Sequence, residues 1–163
     1  MELNESLRFE EAPPTVKQAF LRAPEKILLA SHVGLYKWTN SPLIDRMPVS
    51  PWWSFVESTP LPSGAVAEGF RVSEERANRL KKTHREYARV RAAISGQFGN
   101  SMKELLVIQL NEPVRAFAGQ ASGQPEFAKS RSDLSNVLFI GGAHQVWLPN
   151  LTPRHLTVVP VRG

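Results

Sequence analysis

The second half of the chain constrains the fold most. Residues 104–110, 114–117, 137–140, 145–148 and 155–161 are short apolar runs that each read as a β-strand. A run of strands with no helical pattern between them calls for a mainly antiparallel sheet rather than a doubly wound β-α-β fold. One of these runs lies in Gly141-Gly142-Ala143-His144-Gln145-Val146-Trp147-Leu148-Pro149. The two glycines break the backbone and the proline stops the run. Between them, Gln145 and Trp147 face one side of the strand and Val146 and Leu148 the other. Glycine lets a backbone approach a ligand without a Cβ clash, so the Gln145 amide is set either to meet a ligand or to lie half-buried beside an ordinary turn.

The first half is mixed. Residues 1–13 read as an acidic, poorly ordered lead-in. Thr15 caps a short helix to about residue 22, with Val16, Ala19 and Phe20 at helical spacing and Pro24 stopping it. Residues 26–31 and 35–39 read as strands on either side of Gly34. Residues 40–70 carry five prolines and no helical period, so they read as loop with short extended pieces. Ser73 then caps a long helix over 73–95, with Glu74 and Glu75 in the first turn, where the helix dipole favours negative charge. Leu80, Tyr87 and Ile94, with Ala77 and Ala88, form its apolar stripe, and Gly96 and Gly99 end it. The expected class is α+β. With 163 residues there is room for one well-buried core, so residues 1–163 are read as a single domain whose folded part is 14–163.

Charge and composition narrow the function. The net charge of +5 comes from one segment: residues 71–91 carry eight Lys or Arg against three Glu, and the rest of the chain balances. Such a helix suits nucleic acid or an acidic partner, or is simply a solvated face. No apolar run approaches the roughly 20 residues that span a bilayer, so no membrane span is expected, and the chain is expected to act as a monomer. The start, Met1-Glu2-Leu3-Asn4-Glu5, lacks the basic and apolar regions of a signal peptide. Absence of cysteine excludes disulfides, a thiolate nucleophile and a Cys-based zinc site. That suits the cytoplasm, and equally a secreted effector that acts in a target cell.

Three clusters stand out chemically. His32-Val33-Gly34-Leu35-Tyr36-Lys37-Trp38-Thr39 sets His32 and Lys37 around a short aromatic strand. Ser50-Pro51-Trp52-Trp53-Ser54-Phe55 places adjacent tryptophans between hydroxyls, either to plug the core or to wall a flat ligand. The third is the segment around Gln145. His32, His84, His144 and His155 are scattered without metal-ligand spacing, and there is no phosphate-cradling glycine loop or nucleophile elbow. No metal is expected.

Taken in order, the three clusters resemble the signature regions of the ADP-ribosyltransferase fold found in bacterial toxins and effectors. Leu35-Tyr36-Lys37-Trp38-Thr39 is similar to its first region, Ser50-Pro51-Trp52-Trp53-Ser54 to its second, and His144-Gln145-Val146-Trp147-Leu148-Pro149 to its third. Residues 119–135 fall where the family carries its substrate-recognition turn. The resemblance implies a split β-sandwich of two small sheets, with one short and one long helix, gripping NAD between them. It implies a mono-ADP-ribosyltransferase or NAD glycohydrolase, with NAD as substrate and either water or an acceptor macromolecule receiving the ADP-ribose.

By the same resemblance, Lys37 would anchor a ribose or phosphate, and Ser50 with Trp52 or Trp53 would shape the nicotinamide pocket. His32 and Tyr36 would complete the NAD site. Gln145, with Lys37, would carry the chemistry by holding the nicotinamide ribose as its glycosidic bond loosens. Lys37 stands where Arg or His is usual, and Gln145 where transferases have Glu, as in some NAD-hydrolysing toxins of this fold. Two other readings stay open: a non-catalytic interaction module of the same fold, and a basic domain that uses the 73–95 helix to bind nucleic acid or an acidic partner.

Overall fold

Strand alternation explains most of the architecture. In the computed structural model, which describes residues 2–39, 49–81, 83–85, 104–122 and 143–160, seven strands form one antiparallel sheet. In chain order they are β1 (Glu25–Leu29), β2 (Gly34–Thr39), β3 (Trp52–Phe55), β6 (Glu104–Leu110), β7 (Val114–Gln120), β8 (His144–Trp147) and β9 (Leu156–Val159). Their spatial order is β1-β7-β8-β3-β2-β6-β9. A small hairpin pairs β4 (Thr59–Pro60) with β5 (Val66–Ala67). The class is α+β with a mostly antiparallel sheet. The expected run at 137–140 lies outside the described residues.

The expected two small sheets are here joined by hydrogen bonds, and β3 is the joint. Trp52 and Trp53 pair with Trp147 and Val146 of β8, whereas Ser54 and Phe55 pair with Tyr36 and Leu35 of β2. The ladder thus passes from one neighbour to the other within four residues, and β2 and β8 diverge on either side. One core cluster takes Ile27, Leu29, Ala116 and Val146 from one half together with Leu35, Ile108, Leu110 and Leu156 from the other. A sheet whose two ends share one core must curl with that face inward.

The outer face is covered differently on each half. On one, Phe9, Phe20 and Trp52 pack with Phe117 and Trp147, alongside Val16 of the short helix α1 (Pro14–Gln18). This corrects the expectation of a loose lead-in at 1–13. Phe9 lies 5.7 Å from Phe20 and 5.5 Å from Phe117, and such ring contacts are worth about 1 kcal/mol each beyond burial. Leu3 bridges Val114, and the Asn4 amide donates to the carbonyls of Arg115 and Pro149. Aromatic burial and backbone pairing therefore dock a segment whose composition alone suggests a tail. The short helix ends earlier than expected, and Thr15 lies within it rather than at its cap.

On the other half, helix α2 (Phe70–Arg79) sets Phe70 edge-on against Tyr36 of β2, with ring centres 5.0 Å apart. This helix starts three residues before the expected cap at Ser73 and stops at Leu80, after which Lys81 takes a left-handed φ of 55°. Leu80 is exposed rather than part of an apolar stripe, and Tyr87, Ala88 and Ile94 lie outside the described residues. Among the described residues no helix is long and apolar enough to cross a membrane.

Gly69 fixes the start of α2. Its N–H donates to Ser58 Oγ, the Phe70 N–H donates to the Val56 carbonyl, and a Cβ at Gly69 would stand 2.5 Å from Ser58 N and 2.6 Å from Val56 O. Gly69→Ala should therefore destabilise the fold by about 3 kcal/mol, the upper range for overpacking, read from the denaturant midpoint. Gly34→Ala should cost less, because its Cβ would meet the Val56 side chain at 3.2 Å and a side chain can turn aside.

Candidate functional site

Within β2, Leu35 and Lys37 turn inward while Tyr36 and Trp38 turn outward, as period two requires. Lys37 lies one residue beyond the last β2–β3 pair, where the two strands begin to part. Its Nζ sits 4.5 Å from the centre of the Trp53 ring. Trp53 is 2% exposed, and its indole N–H has no hydrogen-bond partner among the described residues. The backbone of Lys37 is paired opposite Leu106 of β6, but among the described residues its ammonium likewise has no hydrogen bond or ion pair. Burial lowers its pKa from 10.5 to about 8, a shift equivalent to about 3 kcal/mol in favour of the neutral amine. Attraction to the ring, about 0.5–2 kcal/mol, is smaller, so burial wins. An unpaired buried donor costs about 1–3 kcal/mol, and here two such donors stand together without an acceptor. This arrangement is chemically suited to a ligand that brings acceptor oxygens or negative charge.

The other expected site residues do not converge on this point. Gln145 faces the opposite side of the sheet, which corrects the expectation that it shares a cleft with Lys37 and Ser50. Val146, the cross-strand partner of Trp53, points into the core, so Gln145 must point out. Its amide donates to the carbonyl of Ala19 at 2.9 Å. Ala19 is the C-terminal cap of α1, where carbonyls lack helical partners; its carbonyl accepts from both the Gln145 amide and the Ser122 N–H. Trp52 also faces outward, 5.6 Å from Phe20, as does Tyr36. His32 is exposed in the β1–β2 turn with φ 72°. It lies in that turn, outside β2 and five positions before Lys37 in the chain. Ser50 is exposed before β3. Of the expected set, then, the structure brings together Lys37 and Trp53.

A second constellation was not singled out in the sequence. His84 is buried behind β2, with its ring centre 4.3 Å from Phe70, 5.8 Å from Tyr36 and 6.0 Å from Trp38. The Trp38 indole N–H donates to His84 Nδ1 at 2.9 Å, and His84 Nε2 lies 3.1 Å from Ser73 Oγ. Ser73, expected as a helix cap, instead sits inside α2 as a partner for this ring. Burial lowers the His84 pKa to about 4. Ser73, Ala77 and His84 share a helical period in the sequence, but α2 ends before His84, so that period does not produce the contact. His155, also buried, is held by Thr152 and Glu112. Among the described residues no three His, Asp or Glu side chains form a metal-binding group.

The described Lys and Arg side chains of the basic segment are exposed. Arg71 and Arg76 pair with Glu75 and Glu68, which offsets part of its charge. Arg89 and Arg91 lie outside the described residues.

No family model matches the chain, and no curated protein does. Among solved structures it is similar to one of Tse6 in complex with Tsi6, at 11% sequence identity and a TM-score of 0.43, covering 93% of this chain and 87% of that one.

The hydrogen bond from Gln145 to Ala19 predicts the effect of substitution. Gln145→Ala should cost about 1 kcal/mol, the value of one lost neutral bond. Gln145→Glu should cost about 2 kcal/mol near neutral pH, because two acceptors would then face each other. Urea denaturation measures both. The Glu penalty should shrink in mild acid, as the new carboxyl gains a proton to donate.

Proposed function

We propose that the chain binds NAD at the split beside β3 and acts on it as a mono-ADP-ribosyltransferase or NAD glycohydrolase of the toxin and effector type. The observation that carries this reading is the Lys37–Trp53 pair, an ammonium and a buried indole N–H with no acceptor among the described residues, where β2 and β3 part. A dinucleotide supplies what the pair lacks: diphosphate oxygens for a charge-assisted contact and flat rings for an aromatic wall. The order of the three resembling sequence regions and the mostly antiparallel α+β sheet support the same reading. The finer arrangement, two half-sheets gripping the ligand as in the ADP-ribosyltransferase fold, is part of the proposal.

The chemistry would break the bond between nicotinamide and ribose. That step is helped chiefly by oriented dipoles around an oxocarbenium-like state and by excluding water from all but the attacking position. Lys37 holds the diphosphate in this scheme, and water or an acceptor macromolecule takes the ADP-ribose. Gln145, engaged with Ala19, has no part in it. That engagement favours a second reading, in which the same site binds NAD without turning it over.

Titration calorimetry with NAD, alongside direct measurement of nicotinamide release, tests both readings. Binding with release supports the enzyme, binding without release supports the second reading, and no binding to the native chain removes both. The pH dependence has a definite sign. The folded chain holds the Lys37 proton less tightly than the unfolded chain, at about 8 against 10.5. This group therefore favours folding most above 10.5, and that contribution is lost as pH falls through about 8. Binding runs the other way, since it needs the ammonium: NAD affinity should be flat below about 8 and weaken by about tenfold per pH unit above it. Lys37→Met should lose binding while melting no lower than the native chain, because it removes a buried charge that has no ion-pair partner.

A further inference from the structure

We propose that His84 is an acid-released latch, which holds α2 against the outer face of β2 while its ring is neutral and lets go when the ring takes a second proton. The argument starts from donor and acceptor chemistry. The Trp38 indole N–H can only donate, so His84 Nδ1, 2.9 Å away, must be the bare acceptor nitrogen. The ring proton is then on Nε2, where it donates to Ser73 Oγ at 3.1 Å. Both nitrogens are committed, one to β2 and one to α2. A second proton has only Nδ1 to go to, and there it would set two N–H donors against each other and break the link to β2.

Among the described residues, the surroundings offer the cation little. Around the ring stand Tyr36 and Trp38 from β2 and Phe70 and Ser73 from α2. Among these only the Tyr36 phenol is titratable. The charged side chains of α2 are Arg71, Glu74, Glu75, Arg76 and Arg79, with Arg85 beside the ring in sequence, and all of them are exposed. Arg71 and Arg76 are engaged with Glu75 and Glu68, and no carboxylate is paired with His84 among the described residues. The aromatic faces attract a cation weakly, but burial outweighs them and holds the ring neutral down to a pKa of about 4.

The latch also bears on the strand it grips. Trp38 and Tyr36 flank Lys37 on β2, so the ring that clamps them from outside also steadies the strand that carries the ammonium on the inside. This consequence holds whatever ligand Lys37 receives.

The sign follows from linkage. A His84 released from its latch binds a proton at about its ordinary value of 6.5, and the latched ring only at about 4. The opening of α2 is therefore indifferent to pH above 6.5 and becomes more favourable as pH falls through that window, by about two orders of magnitude. Hydrogen exchange at about pH 7 and about pH 4, corrected for intrinsic rates, reads this directly. Protection of the amides of residues 73–79 should fall by about a hundredfold, while β7 keeps its protection. His84→Asn, whose amide oxygen accepts from Trp38 but does not titrate, should show no such fall.

Three results would overturn the latch: unchanged protection of α2 in the native chain, simultaneous loss of protection in β7, or an equal fall in the Asn variant. If that variant fails to fold, the indole N–H resonance of Trp38 in the native chain decides. It should shift together with the His84 ring protons on a single titration curve, and independent movement would overturn the proposal.

Discussion

The division of β3 between two neighbours is the constraint on which the rest of the structure depends. A four-residue strand pairs through Trp52 and Trp53 with β8 and through Ser54 and Phe55 with β2. Because it serves both, the sheet cannot stay flat: the two halves swing toward each other and share a single core. The same division leaves β2 without a β3 partner from Lys37 onward. A polar side chain can stand there on the core side of the sheet only because the ladder has opened beside it.

Inner and outer faces then carry different physics. Inside, apolar packing surrounds one ammonium, and burial moves that group toward neutrality without supplying an acceptor. Outside, polar groups are satisfied pairwise: Gln145 caps α1, and His84 joins Trp38 to Ser73. Satisfied groups on the outer face hold elements in place, whereas the unsatisfied pair on the inner face is what a ligand would complete. That contrast, rather than any single motif, separates a structural amide from a candidate binding amine.

Much of the local structure was legible in the sequence. The strand at 104–110 has the bounds expected of it, and adjacent Trp52 and Trp53 face opposite ways, as strand geometry requires. Helix α2 shows where local reading fails. Its apolar period suggested continuation well past residue 80, yet the chain turns at Lys81 and returns His84 to β2. The bonds that reward this turn come from a strand more than forty residues away in sequence, so no local period could carry the signal. The N-terminal segment behaves likewise: Phe9 finds Phe117 and Trp147 only once the sheet exists.

The candidate site divides in the same way. Period two in the sequence by itself determined that Gln145 opposes Val146 and that Lys37 shares a face with Leu35. Which of those faces becomes the interior was decided only in the tertiary structure. Alternation fixes side chains relative to their own strand, but the choice of inside and outside is made by packing between strands far apart in the chain. Lys37 and Gln145 fall in step with different neighbours, and the register through Trp53 and Val146 sends one inward and the other out.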